Sequence, residues 1–436
     1  MDEDRRKIGG NLSISCTYLT ILTIDTITYA FGAIRKVRST NSPIVCYIAR
    51  QMLLPPAEGY HVASRRIIEA TTNAGIKTQV VTIESNAKSV KSKGNWTAVS
   101  SKVSLRFLPA VFSGIDDLLT SVDIASRVRF SDCNLIHVLN VTKEAYAIVH
   151  RLLRVKKPLL VHFFHSPGVL TDDVFLVRNI AFKAGLYGRL LNSHVLTVNS
   201  SMYKFFIEKL CVNPERVHYA PYPINTNVFK PLNEKEKLRI KHQLPLHRFI
   251  VAYVGSLQPA RGVPDLVRAF RSVADNFPEA LLLICHPQRM EERTFENLIR
   301  EQIRTSKLDE KVIIRGLASE INEVYNAADV IVLPLTRPYW VDPPIVLLEA
   351  MSCGSAVITT PVGAISEVAH DHKNALLVEP GNPHILAQAI VELLQNPRES
   401  LRIARKARET IIQKYAYETV AKNLLKIYTS VLDHQN

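Results

Sequence analysis

The 436-residue sequence predicts an α/β protein of two doubly wound domains that face each other across a cleft. Three observations carry this. Short β-branched runs alternate with longer helix-patterned stretches from residue 43 onward. The runs fall into two successive series of about 180 residues each. Three prolines, Pro221, Pro223 and Pro231, punctuate the chain between the series. Apolar runs of this length read as parallel strands covered on both faces, with helices as the crossovers. Two such series make two domains rather than one large sheet.

Residues 1–42 stand apart from this pattern. Asp2, Glu3 and Asp4 lie where a signal peptide carries only positive charge. The apolar stretch 12–34 is diluted by five threonines and by Asp25, which makes it a poor spanning helix. It reads as a loosely attached N-terminal extension. The alternative is a membrane anchor followed by Arg35, Lys36 and Arg38. The first domain, 43–225, takes its strands from runs 44–49, 79–83, 135–139, 159–164 and 195–198. The second, 226–414, takes them from 249–254, 280–285, 312–315, 330–334, 356–359 and 375–378. Residues 384–436 read as amphipathic helix throughout.

Composition narrows the function classes. At 47% hydrophobic and 22% charged residues the chain is neither disordered nor a many-span membrane protein. Lys and Arg number 54 against 40 Asp and Glu, a net charge of +14 that favours anionic partners. Neither a zinc finger nor an RNA-binding aromatic motif occurs, so no nucleic-acid partner is expected. No two of the six cysteines lie closer than Cys16 and Cys46. Reduced thiols and a cytoplasmic location are therefore expected, with no clustered-cysteine metal site.

Ligands of open α/β sheets sit outside the carboxyl ends of the strands. In the second domain those ends are Gly255-Ser256, His286-Pro287, Arg315-Gly316, Leu335-Thr336 and Thr360-Pro361. The helix after Pro344 is the most informative segment. Proline suits a helix start and Gly354 its end. Between them nearly every residue is apolar, so Glu349 is a carboxylate inside a buried helix. Burial without a partner costs several kcal/mol, so Glu349 needs hydroxyls or a cation unless it faces solvent. The amides of Val346 and Leu347 at the helix start can hold a phosphate.

The segment 330–367 resembles the donor site of the group 1 glycosyltransferases, family 4, which have the GT-B fold of two Rossmann-like domains. Leu348-Glu349-Ala350-Met351-Ser352-Cys353-Gly354 and Pro361-Val362-Gly363-Ala364-Ile365-Ser366-Glu367 carry the likeness. Tyr253-Val254-Gly255-Ser256-Leu257 with Arg261-Gly262 resembles the family's first strand of the nucleotide domain and its phosphate loop. Pro221-Tyr222-Pro223-Ile224-Asn225-Thr226 resembles its linker, and Tyr415-Ala416-Tyr417-Glu418 leads in the family into a helix, here 415–436, crossing back to the first domain. The resemblance implies that Glu349 holds the donor ribose, and that Gly255, Ser256, Arg261, Arg315, Val346, Leu347 and Glu367 complete the donor site. It implies a retaining enzyme that needs no metal and no cofactor beyond a nucleotide-diphosphate sugar. Two departures stand out. Val341 replaces the first glutamate of the family's pair, and Ser256 replaces an arginine. Asp342 is the nearest carboxylate to the vacant position and is expected to orient the sugar; its alternative role is a helix cap.

In the first domain, run 159–164 resembles the strand that ends in the family's cleft histidine. His165 at its end is expected to serve in catalysis, with His162 one register alternative and packed core histidines another. The resemblance implies an acceptor-side loop after run 44–49, where Glu58 and Gly59 fall. Residues 173–192 read as a basic amphipathic helix, either an ordinary surface helix or one suited to peripheral contact with an anionic membrane at its inner face. The expected function is transfer of a sugar from a nucleotide donor to a glycan or lipid-phosphate acceptor. The alternatives are a non-catalytic nucleotide-sugar or glycan-binding protein and a sugar-nucleotide epimerase.

Overall fold

A computed structural model describes residues 43–50, 59–83, 98–100, 121–122, 124–125, 128, 131–139, 150, 154–163, 193–317, 320–337 and 343–434. The N-terminal extension, Glu58, His165, Val341, Asp342 and the basic stretch 173–192 lie outside the described residues.

The first domain is a seven-stranded sheet in the order β3-β2-β1-β4-β5-β6-β7. Its strands are β1 Ile44–Arg50, β2 Lys77–Ile83, β3 Ala98–Ser100, β4 Leu135–Val138, β5 Leu159–Phe163, β6 His194–Thr197 and β7 Val217–Tyr219. Helix α1, Gly59–Asn73, connects β1 to β2, and the short α2, Ser200–Lys204, follows β6. The second domain is a six-stranded sheet in the order β10-β9-β8-β11-β12-β13. Here β8 is Phe249–Val254, β9 Ala280–His286, β10 Val312–Gly316, β11 Val330–Leu333, β12 Ala356–Thr359 and β13 Leu376–Leu377. Its helices are α3 Lys235–Lys241, α4 Val263–Asn276, α5 Arg293–Thr305, α6 Ile321–Ala327, α7 Ile345–Ser352, α8 Pro383–Gln395 and α9 Pro397–Lys414. All strand pairs are parallel. In both sheets the strand order reverses beside the first strand, which leaves a crevice at β1/β4 and another at β8/β11.

Continuous burial explains the parallel strands. All residues of β4, β5, β6, β9, β11 and β12 are buried. Two strands absent from the sequence expectation, β3 and β7, are three residues long and pair at the sheet's edges. Three residues carry too little periodicity to be read.

The last helix, α10 Tyr417–Asp433, leaves the second domain and packs on α1. A buried hydrogen-bonded chain fixes it there. Thr71 Oγ1 meets Tyr47 Oη at 2.8 Å, and Tyr47 Oη meets Tyr428 Oη at 2.9 Å. Tyr428 Oη meets His137 Nδ1 at 2.9 Å, and His137 Nε2 meets His162 Nδ1 at 3.2 Å. Tyr428 therefore joins α10 to β1 and β4 of the first sheet. The linker is held by the same turn, since the Ile224 amide donates to the Tyr415 carbonyl and the Tyr417 amide to the Ile224 carbonyl.

Gly262 packs against the backbone that follows β11. A β-carbon there would lie 1.8 Å from the Pro334 carbonyl oxygen, and φ is +71°. The Thr336 amide donates to the Ala260 carbonyl across the same junction. Gly262→Ala is therefore expected to cost about 2–4 kcal/mol, from left-handed strain plus displaced backbone. A midpoint in urea within error of wild type would refute this close approach.

Candidate active site

The site lies where α7 of the second domain faces α1 of the first. Helix α7 is almost wholly apolar, with Leu347, Leu348, Ala350 and Met351 buried. Pro344 stands at the N-cap, just outside the helix, and Gly354 one residue past the C-cap Cys353. Glu349 is 6% exposed. Its two oxygens have separate partners: Arg66 of α1 donates through Nη2 to Oε1, and the Tyr325 hydroxyl donates to Oε2 at 2.9 Å. The carboxylate thus has both a cation and a hydroxyl. Burial, and next the neighbouring Glu349 charge, push the Tyr325 hydroxyl up, so it remains a donor.

Arg66 comes from a stripe of α1 that faces inward. Ala63, Arg66, Ile67 and Ala70 recur at helical spacing and are all buried. The guanidinium sits 4.9 Å from the ring centroid of Phe229 in the linker, a cation–π contact. Phe229 is itself fixed, since the Ser352 hydroxyl donates to its carbonyl at 2.6 Å and Arg408 Nη1 at 3.1 Å. The Nη1 atom of Arg66 is buried and makes no hydrogen bond within the described residues.

The loop after β8 forms the floor. At Gly255 φ is +152°, and an added β-carbon would lie 2.9 Å from Tyr253 Oη, so glycine is required. The Tyr253 hydroxyl donates to the Ser256 carbonyl at 2.7 Å. Glu292, buried beside the loop, accepts from the Leu257 amide at 2.9 Å and so pins it. Arg261 ends a 3-10 turn, and its buried Nε makes no hydrogen bond within the described residues. His286 accepts from the Gln288 amide through Nδ1, which leaves the ring proton on Nε2, 3.4 Å from Glu296 Oε2.

Several expected residues are engaged elsewhere. The Leu347 amide is not free, because it donates to the Pro344 carbonyl at 3.0 Å; the amides at the helix start are those of Ile345 and Val346. Arg315 Nη1 donates to the His242 carbonyl at the end of α3. Glu367 accepts from the Ser200 amide at 3.0 Å and from its hydroxyl at 2.7 Å, and so ties itself to α2 of the first domain. His162 lies within β5 and is 1% exposed, a member of the core chain described above. Gly59 opens α1, and a β-carbon there would stand 3.9 Å from Ile345 Cδ1 at the start of α7. Arg66, Ser200 and Glu292 were not expected. A charged residue in the apolar stripe of α1 was the one available signal.

Among the described residues no helix is long and apolar enough to cross a membrane. Nor do three or more His, Cys, Asp or Glu side chains among them gather into a metal-holding group.

A family model described as "Glycosyl transferases group 1" matches residues 234–410. The alpha-maltose-1-phosphate synthase of Mycolicibacterium smegmatis is 30% identical over 252 residues, which cover 54% of this chain and 63% of that protein. A D-inositol 3-phosphate glycosyltransferase of Corynebacterium glutamicum is 26% identical over 258 residues, covering 56% of this chain and 59% of that protein. The chain thus spans 59–63% of the length of these two relatives. Among solved structures, sucrose-phosphate synthase from Thermosynechococcus elongatus aligns with a TM-score of 0.73 at 21% identity, covering 90% of this chain and 100% of that one. Anabaena HepE in complex with UDP aligns at 0.69 and 16% identity, covering 88% and 99%. These likenesses show the fold, which is GT-B. Through residues 234–410, within its second domain, the chain is similar to the glycosyl transferases of group 1.

Proposed function

We propose that the protein is a retaining glycosyltransferase that moves a sugar from a nucleoside-diphosphate donor to a glycan or a phosphate-bearing, lipid-linked acceptor. The observation that carries this is Glu349: a buried carboxylate on the helix that faces the other domain, already partnered by a hydroxyl donor. A ribose diol offers the same chemistry to it, two O–H donors on one carboxylate. With the ribose there, the diphosphate is proposed to lie at the start of α7, with Arg261 and the loop 255–262 as its further contacts. The sugar then points toward Gly59 and the first domain. Retention follows if the acceptor hydroxyl attacks from the face that the leaving diphosphate vacates, where the diphosphate can take its proton. His165, by resemblance, and Asp342, as the carboxylate next to Val341, are the residues proposed to act on the sugar. The names of the two curated relatives, which mention inositol 3-phosphate and maltose-1-phosphate, favour an acceptor that carries phosphate. A peripheral position on an anionic membrane belongs to the same reading, carried by the basic stretch 173–192.

A thermal-shift screen of UDP-, ADP- and GDP-sugars, followed by product mass spectrometry with sugar-phosphate and lipid-phosphate acceptors, tests the proposal. One donor should stabilise the protein, and an acceptor should gain the mass of one sugar residue. Stabilisation without any product would favour a binding protein. No stabilisation by any donor would end the reading.

A further inference from the structure

We infer that Arg66 stands in the place of the donor ribose, so that the unliganded protein blocks its own donor site and the nucleotide must exchange with a first-domain side chain. This rests on the reading of Glu349 as the ribose carboxylate. Glu349 is buried, and one of its two carboxylate oxygens is taken by a guanidinium from the opposite domain. A ribose cannot reach Oε1 while Nη2 of Arg66 is on it.

The second cross-domain contact follows the same rule. Glu367, the other carboxylate expected at the donor, is taken by the amide and hydroxyl of Ser200. Each second-domain carboxylate named for the donor is thus met by a first-domain donor group. The two contacts lie 167 and 283 positions apart in sequence, so only the approach of the two domains creates them.

The pairing is also built to come apart. A buried ion pair is costly to break when one charge stays behind in the interior. Here the partners belong to different domains, and separation at this point returns both to water. Arg66 holds one Nη1 that is buried and unbonded within the described residues, so it regains hydrogen bonds on release. Phe229, which carries the guanidinium, is held to the second domain by Ser352 and Arg408, so Arg66 leaves that ring as well when it withdraws. A neutral diol then replaces a cation on Glu349. The apparent donor affinity is lowered by the fraction of protein in which Arg66 has withdrawn. Arg66 is therefore an affinity-setting residue that does not touch the reacting atoms.

The test is calorimetry on full-length wild type, Arg66→Met and Arg66→Gln with two probes. One is UDP, or ADP or GDP if the donor screen selects that base. The other is inorganic pyrophosphate, which has no ribose. Arg66→Met should bind the nucleotide at least fivefold more tightly than wild type and pyrophosphate unchanged, with Arg66→Gln in between. If Arg66→Met does not fold, Arg66→Gln alone decides. Unchanged or weaker nucleotide binding in the variants overturns the inference, because Arg66 would then support the site. Equal tightening for pyrophosphate overturns it too, since that reports a generally looser cleft. A wild type that binds no nucleoside diphosphate removes the glycosyltransferase reading as well. A wild type that prefers the ribose diol, beside variants of unchanged affinity, removes this inference alone.

Discussion

Wild-type protein should bind the nucleoside diphosphate that the donor screen selects at least tenfold more tightly than its 2′,3′-dideoxy form, and Glu349→Ala should bind the two equally. Two hydroxyls on one carboxylate are charge-assisted hydrogen bonds, each about 1.5–3 kcal/mol before the loss of existing partners. Displacing Arg66 and Tyr325 takes back part of that, so a net of about 1.4 kcal/mol, or tenfold, is a conservative expectation. The ratio between the two nucleotides is the informative quantity. Truncating Glu349 leaves Arg66 without its anion, which costs up to about 3–5 kcal/mol while the domains stay together. That loss affects both ligands alike and cancels in the ratio. If Glu349→Ala keeps the wild-type preference, the ribose lies elsewhere.

The second large effect is on acid stability. Burial holds the His137 imidazole down to about 3, against an ordinary value near 6.5. The neutral ring is what the core chain needs, one nitrogen donating and the other accepting. The sign follows from linkage. The unfolded chain takes up the proton first, near pH 6.5, so the stability from neutral His137 is complete above that pH. It is lost as pH falls from 6.5 toward 3, by about 4 kcal/mol in all. His194 and His218 are also held down by burial and add to the loss in the same direction. Urea unfolding between pH 7 and pH 4 should therefore show a steady fall in midpoint, and His137→Phe should flatten the slope. A slope unchanged in His137→Phe would mean that the acid lability arises elsewhere.

What the sequence disclosed follows from which forces are local. The run 330–333 is buried on both faces, so its strand was plain from four consecutive apolar residues. The burial of Glu349 was readable because its whole helix is apolar, and its need for hydroxyls or a cation followed from its charge. The identity of that cation was not readable, because Arg66 lies 283 positions away and meets Glu349 only through the packing of two domains. The amide of Leu347 was misjudged for a different reason. Pro344 stops just outside the helix, and its carbonyl turns back to accept that N–H. Glu367 sits in a family motif, yet a motif cannot show that a serine of the other domain competes for it.

The buried bond from Tyr428 to Tyr47 and His137 bears on synthesis at the ribosome. The strands of the first sheet end at Tyr219, but a side chain that completes its interior arrives only after the entire second domain has been translated. At about 5–20 residues per second, the nascent first sheet waits on the order of ten seconds or more for that helix. During this interval the hydroxyl of Tyr47 keeps Thr71 and the ring of His137 keeps His162, but each lacks its bond to Tyr428, and the side of α1 that α10 covers stays open. A chaperone that caps apolar grooves would find its opening there. A ribosome stalled before residue 417 should therefore hold a first domain that proteases cut readily, and one released after residue 433 a domain that they do not.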